Sequence, residues 1–264
     1  MGLFDKINMP GVKDVIVVAS GKGGVGKSTV SVNLAVSLAR NGYKVGLVDA
    51  DIYGPSIPKM FGVEGVMPKV EMLDGKEYMT PIEKYGVKLM SIGFFIGQSQ
   101  GLIWRGPKAA GAITQLFETT VWGDIDFLIV DFPPGTGDVQ LTTIQKVALK
   151  GSIIVTTPQE VALSDARKAA SMFMNPDLGV PVLGVIENMS WFTPDKHPDE
   201  KYFIFGQGGG EKLAKECEAP LLGQVPLIAS VGAAAEKGRT VFAQPDKIAM
   251  EAFEDITKTF LEKI

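Results

Sequence analysis

The stretch Gly21-Lys22-Gly23-Gly24-Val25-Gly26-Lys27-Ser28-Thr29 decides the fold of this chain. With Gly21 as the first glycine and Lys27-Ser28 as the closing pair, it matches the phosphate-loop pattern G-x-x-x-x-G-K-[ST]. The apolar run Val15-Ile16-Val17-Val18-Ala19 leads into it as a strand, and Val30, Leu34 and Leu38 lead out of it at helical spacing. That strand–loop–helix context is what the pattern requires. The glycines let successive backbone N–H groups curl around an anion, and the positive end of the following helix points at it. Lys27 adds a point charge for the outer phosphates, and the Ser28 hydroxyl can hold Mg²⁺.

Outward from the loop, short apolar runs alternate with helical patterns. Strands are expected at Val15–Ala19, Lys44–Val48, Val87–Ile92, Phe127–Val130, Ile153–Thr156, Val182–Ile186 and Leu222–Val225. Helices are expected near Lys27–Arg40, Pro107–Thr119, Val139–Val147, Leu163–Met174, Glu211–Cys217, Ser230–Glu236 and Asp246–Lys263. Several strands are nearly continuous apolar runs, the signature of strands covered on both faces. The fold class is therefore α/β, a mostly parallel sheet with helices on each side, whose ligands bind beyond the carboxyl ends of the strands. No repeat or linker divides the sequence, so residues 1–264 are read as one ATPase-type domain with a short extension at 1–12. Glycines and prolines break the pattern over 62–84, read as an irregular insertion or a small hairpin, and over 192–210, read as a loop.

Composition narrows the function. Hydrophobic residues make up 45% and charged residues 21%, as in an ordinary globular domain. The formal net charge of −4 gives no global attraction to nucleic acid or anionic lipid. A single cysteine, Cys217, excludes an intrachain disulfide. No long apolar segment opens the chain, and Lys6 stands where a myristoylation signal beginning at Gly2 needs Ser or Thr. A cytoplasmic location is expected.

Two further motifs sit at strand ends. The second strand closes on Asp49-Ala50-Asp51, two carboxylates at i and i+2 that point the same way. Beside a phosphate loop, one carboxylate can organise the water shell of Mg²⁺ while the other orients an attacking water. The strand Phe127-Leu128-Ile129-Val130 closes on Asp131, a Walker B arrangement in which the carboxylate bonds a water of the magnesium ion. Phe132-Pro133-Pro134-Gly135-Thr136-Gly137-Asp138 follows, stiff at one end and free at the other, as suits a segment that senses the γ-phosphate of ATP.

Lys22, directly after the first glycine, is not required by an ordinary phosphate loop. The G-K-G-G-V-G-K-S-T form resembles the deviant Walker A (SIMIBI-type) ATPases, which include the MinD, ParA, nitrogenase iron protein and Mrp families. That resemblance implies a nucleotide-sandwich homodimer in which Lys22 reaches the partner's nucleotide. It also assigns Asp51 to the attacking water and Asp49 to the magnesium surroundings. Further segments resemble the Mrp family, which includes the ApbC-like iron–sulfur cluster carriers. They are Ile103-Trp104-Arg105-Gly106-Pro107, Trp122-Gly123-Asp124-Ile125-Asp126 running on to Asp138, Glu187-Asn188-Met189-Ser190, Ile204-Phe205-Gly206 and Val225-Pro226-Leu227. This resemblance implies that Asn188 and the segment around Pro226 frame the adenine, that a 4Fe–4S cluster sits between two subunits, and that partners are cluster scaffolds and apo iron–sulfur proteins. Nucleic acid and membrane are not among the expected partners.

One departure from that family stands out. Its members carry C-x-x-C shortly after the Asn-Met-Ser segment, and here the two positions fall on Pro194 and His197. A 4Fe–4S cluster asks for four thiolates, and two chains with Cys217 alone offer two. His197, the only histidine, reads as a solvated side chain, and Cys217 reads as structural. The rival reading is a MinD/ParA-like nucleotide-gated switch that binds no cluster. MinD-like membrane attachment calls for a basic amphipathic C-terminal helix. The segment Asp246–Ile264 carries three basic and five acidic residues, so its apolar stripe is assigned to packing on the sheet. About a dozen residues precede the first strand, the expectation being a core-only member or a fragment of something longer.

Overall fold

The computed structural model describes residues 6–95, 106–194, 196–197, 199–243 and 246–264. Met1 and Gly2, Ile103, Trp104 and Arg105 of the W-R-G-P stretch, and Asp195 and Pro198 lie outside the described residues.

The phosphate loop joins β1 (Val12–Ala19) to α1 (Lys27–Arg40). After α1 come β2 (Val45–Asp49), a short helix α2 (Ile57–Phe61), the strands β3 (Lys69–Leu73) and β4 (Lys76–Thr80), and the strands β5 (Ile82–Lys84) and β6 (Val87–Ser91). The second half reads α3 (Gly106–Thr119), β7 (Ile125–Asp131), α4 (Asp138–Lys146), β8 (Gly151–Thr156), α5 (Glu160–Phe173) and β9 (Val182–Phe192). It closes with α6 (Gly209–Glu216), β10 (Leu221–Leu227), α7 (Ala229–Glu236) and α8 (Lys247–Leu261).

Eight strands form one sheet in the order β10-β9-β8-β1-β7-β2-β6-β5, and every neighbouring pair is parallel except β5 with β6. The apolar runs explain why. Every residue of β2 and of β8 is buried whichever way its side chain points, so helices must cover both faces. On those faces α1 packs with α8, α5 with α6, and α3 with α4. In α8, Phe253, Ile256 and Phe260 are fully buried, and the helix rests on β10 and α1, which accounts for the C-terminal stripe. Among the described residues no helix is long and apolar enough to cross a membrane.

Of the two readings of residues 62–84, the small hairpin is the one observed, as the antiparallel β3–β4 pair. Three elements differ from the sequence expectation. The edge strand β5 is three residues long and carries no period. The helix α2 is shorter than two turns and is invisible to a 3.6-residue pattern. β9 runs on to Phe192, six residues past the expected end at Ile186, so Asn188 lies within the strand.

Candidate functional site

The sheet order brings the motifs together. β7 lies between β1 and β2, so the phosphate loop, the Walker B carboxylate and the Asp49–Asp51 pair occupy three adjacent strand ends. In register, Val18 of β1 faces Asp131 of β7, Asp131 faces Asp49 of β2, and Asp49 faces Ser91 of β6. Residues paired across neighbouring strands project from the same side of the sheet. Two fully buried carboxylates thus stand side by side, flanked by a hydroxyl and by the phosphate loop.

The loop is shaped by its glycines at two places. Gly26 caps α1 with φ of 83°, and a Cβ there would fall 2.0 Å from the Asn188 side-chain nitrogen. At Gly21 a Cβ would fall 2.0 Å from the backbone of Asp165, so only glycine lets the loop after β1 run this close to α5. Val25 is buried beneath the loop, and its carbonyl accepts from the Asn188 amide at 2.8 Å. Gly23 and Gly24 are exposed, and Lys22 is half-buried. An open cavity of about 230 Å³ lies over the loop, lined by Lys22, Lys27, Ser28 and Thr29 together with Asp51, Ser56 and Pro134.

Lys27 is the hub. Its ammonium sits 2.7 Å from Asp131 Oδ2 and 3.8 Å from Asp51 Oδ2, and it donates to Ser28 Oγ at 3.2 Å. Ser28 donates to Asp131 Oδ2 at 2.7 Å, and Ser31 donates to Asp131 Oδ1 at 2.6 Å. Burial raises the carboxyl of Asp51 above the ordinary range while Lys27 pulls it back. Its Oδ1 is buried with no hydrogen-bond partner among the described residues. Burial and the neighbouring Asp131 push Asp49 up to about 7, against the Ser91 hydrogen bond and Lys27.

Asp49, like Asp131, has both oxygens taken by the protein, but its hydrogen-bond donors are all neutral. Oδ1 accepts from the Asp51 N–H at 3.2 Å, and Oδ2 accepts from Ser91 Oγ at 2.9 Å and the Ile57 N–H at 3.3 Å. Its contacts are those of a turn anchor. The Pro-Pro segment is tethered as well. Gln140 of α4 donates to the carbonyls of Pro133 and Pro134, and Gly135 donates to the Ser20 carbonyl. Pro226 sits buried in the edge strand β10, one residue beyond the register partner of Asn188, and does not line the cavity.

Sequence reasoning missed Ser31, Ser91 and Gln140. Ser31 carried a usable signal, a polar residue four beyond Lys27 on the buried face of α1. The other two are joined to the site only by the tertiary structure.

The remaining candidates are elsewhere. Cys217 is buried at the end of α6, and burial raises its thiol. His197 is exposed and lies 3.3 Å from Glu200. Among the described residues no group of three or more His, Cys, Asp or Glu side chains is arranged to hold a metal ion.

Comparison with known proteins agrees with this geometry. A family model described as ParA, NUBPL iron-transfer P-loop NTPase, matches residues 11–261. The chain is 48% identical to the iron-sulfur cluster carrier protein of Synechocystis sp. over 263 residues, 99% of this chain and 74% of that protein. It is 46% identical to the protein of the same name from Methanococcus maripaludis over 259 residues, 97% and 87% of the two chains. Among solved structures, the nucleotide-binding protein of Archaeoglobus fulgidus in complex with ADP is 35% identical, with a TM-score of 0.76 and 93% of each chain covered. The cell-division ATPase MinD of Pyrococcus furiosus is 21% identical at a TM-score of 0.66, covering 94% and 98%, a likeness of fold alone.

Proposed function

The chain belongs to the ParA family of NUBPL iron-transfer P-loop NTPases, and on that premise we propose that it is an Mg-ATP-dependent iron–sulfur cluster carrier that hydrolyses ATP as a homodimer. The observation that carries the reading is the convergence of Lys27, Ser28 and Asp51 on one cavity, with Asp131 buried directly behind Lys27 and Ser28, at the ends of three adjacent strands. ATP would lie with its phosphates in the loop from Gly21 to Thr29. The donor set beside it consists of hard oxygens, Ser28 Oγ and the Asp131 carboxylate, which suit magnesium. Bound there, magnesium would neutralise charge on the outer phosphates.

The chain's own residues do the positioning. Lys27, held between Asp131 and Asp51, exchanges part of that pairing for phosphate oxygens. Asp51 offers an unpartnered buried oxygen to a water in line with the γ-phosphorus. Attack by that water breaks the bond to the β–γ bridging oxygen and yields ADP and phosphate. Lys22 stands half-buried at the mouth, and among the described residues no carboxylate pairs with it. It would complete the site of a second subunit, which makes turnover slow in the monomer. Catalysis of this kind is nearly all positioning and charge.

The cluster is cargo. The relatives named carriers support that branch over a MinD-like positioning ATPase. One buried cysteine per chain leaves a 4Fe–4S cluster short of thiolates. The missing ones would come from the protein that gives or receives the cluster, in the cytoplasm. The test is transfer from a cluster-loaded thiolate scaffold to an apoprotein, followed by visible and electron-paramagnetic-resonance spectra. Faster transfer with ATP is expected. Vigorous ATP hydrolysis with an unchanged transfer rate would count against the carrier role.

A further inference from the structure

We propose that Ser91, acting through Asp49, is a positioning residue for Asp51 and so controls the rate of hydrolysis and not the binding of nucleotide. The inference rests on the reading of Asp51 as the group that orients the attacking water.

The geometry is a three-point clamp on one turn. Residues 50–56 connect β2 to α2 and carry Asp51 and Ser56 into the cavity. Asp49 grips both ends of that turn, accepting from the Asp51 N–H at 3.2 Å with one oxygen and from the Ile57 N–H at 3.3 Å with the other. A carboxylate that is free to rotate could not hold two donors six residues apart in the chain. Ser91 removes that freedom, because its hydroxyl donates to the same Oδ2 at 2.9 Å from the facing position of β6. Ser91 is itself fixed, since its oxygen accepts from the Gly93 N–H at 2.9 Å. The third point is Gly93. A Cβ on it would come within 2.9 Å of the Pro55 ring and 3.0 Å of Ser91 Oγ, so the segment just after β6 packs closely on the middle of the turn.

Ser91 and Asp49 are both fully buried, and neither lines the cavity. Their influence on a bound nucleotide therefore runs through the turn. Since the phosphate cradle comes from the loop after β1, loosening the turn leaves the cradle intact and misplaces Asp51 together with Ser56. A displacement of about 1 Å in a positioning group can cost on the order of 100-fold in rate.

The experiment measures ATP turnover, KM and affinity for a fluorescent ATP analogue in four forms of the full chain: native, Ser91→Ala, Asp51→Asn and the double variant, each with its melting temperature. The expected result is kcat down tenfold or more in Ser91→Ala, with KM and analogue affinity within twofold of native. Once Asp51 is gone, Ser91→Ala should cost nothing further. Gly93→Ala, which presses on Pro55 from the same side, should reproduce the kcat-selective loss. Native kcat in Ser91→Ala beside a dead Asp51→Asn overturns the positioning role alone. Native kcat in Asp51→Asn overturns the underlying reading of Asp51. A parallel fall of kcat, affinity and melting temperature in both Ser91→Ala and Gly93→Ala would mean simple structural damage, and it too overturns the proposal.

Discussion

At the scale of single residues the site is a problem of buried charge. Asp131 is compensated by a close ammonium and two hydroxyls, whereas Asp49 has only neutral donors and lies beside Asp131. Removing one partner from a buried ion pair costs about 3–5 kcal/mol, so losing Asp131 should harm the fold as well as the chemistry. Asp49 behaves in the opposite way. Its carboxyl is raised from 3.8 to about 7, mainly by burial. A raised acid favours the folded state while protonated, so this stabilisation is complete below pH 3.8 and fades as pH climbs to about 7. The loss is on the order of 4 kcal/mol across that window. In nucleotide-free and magnesium-free protein, the melting temperature of Asp49→Asn relative to native should therefore climb between pH 4 and pH 7.5. A flat difference across that range would show that Asp49 is ionised in the fold throughout. Asp49, Asp51 and Asp131 were all legible in the sequence as acids at strand ends. Which of them keeps an oxygen free was not, because hydrogen-bond partners such as Ser91 come from a strand some forty residues away.

At the scale of elements, the phosphate loop is held from two sides, by α5 at Gly21 and by β9 at Gly26. Gly24 and Gly26 make a useful contrast. Both have positive φ, 81° and 83°, but only Gly26 meets a neighbour, the Asn188 amide that bonds Val25. Gly24→Ala should cost only backbone strain, about 1 kcal/mol. Gly26→Ala should cost about 1 kcal/mol more, because the buried Asn188 hydrogen bond is lost as well. Chemical denaturation of the two variants measures this, and Asn188→Ala should remove most of the extra cost. Equal destabilisation by the two alanines would show that β9 does not brace the loop. The Asn188 amide also bonds the loop backbone, a role invisible until β9 and β1 are known to sit on either side of β8. α2 and the edge strand β5 escaped the sequence for a local reason. A helix of five residues and a strand of three carry too few buried side chains to set a period.

At the scale of the whole molecule, the question is whether one chain makes a complete site. Lys22 is the residue that decides it. Lys22→Ala should abolish ATP turnover while leaving the melting temperature and nucleotide affinity near native, and mixing it with an Asp51→Asn variant should restore part of the activity through hybrid dimers. Ordinary ATPase rates in Lys22→Ala alone would rule out a shared site. The sequence by itself determined the class of fold and the chemistry. Continuous apolar runs can be satisfied only by a parallel sheet covered on both faces, and G-K-G-G-V-G-K-S-T with acids at two strand ends permits little but phosphoryl transfer. It also determined that these 264 residues hold one thiol, where a 4Fe–4S cluster needs four. Only the tertiary structure decided how the acids divide their work. The strand order β1-β7-β2-β6 sets Asp131 against Lys27 and Asp49 against Ser91, leaving Asp51 with the spare oxygen. That order is set by non-local strand pairing, and pairing partners far apart in the chain leave no mark on the residues between them.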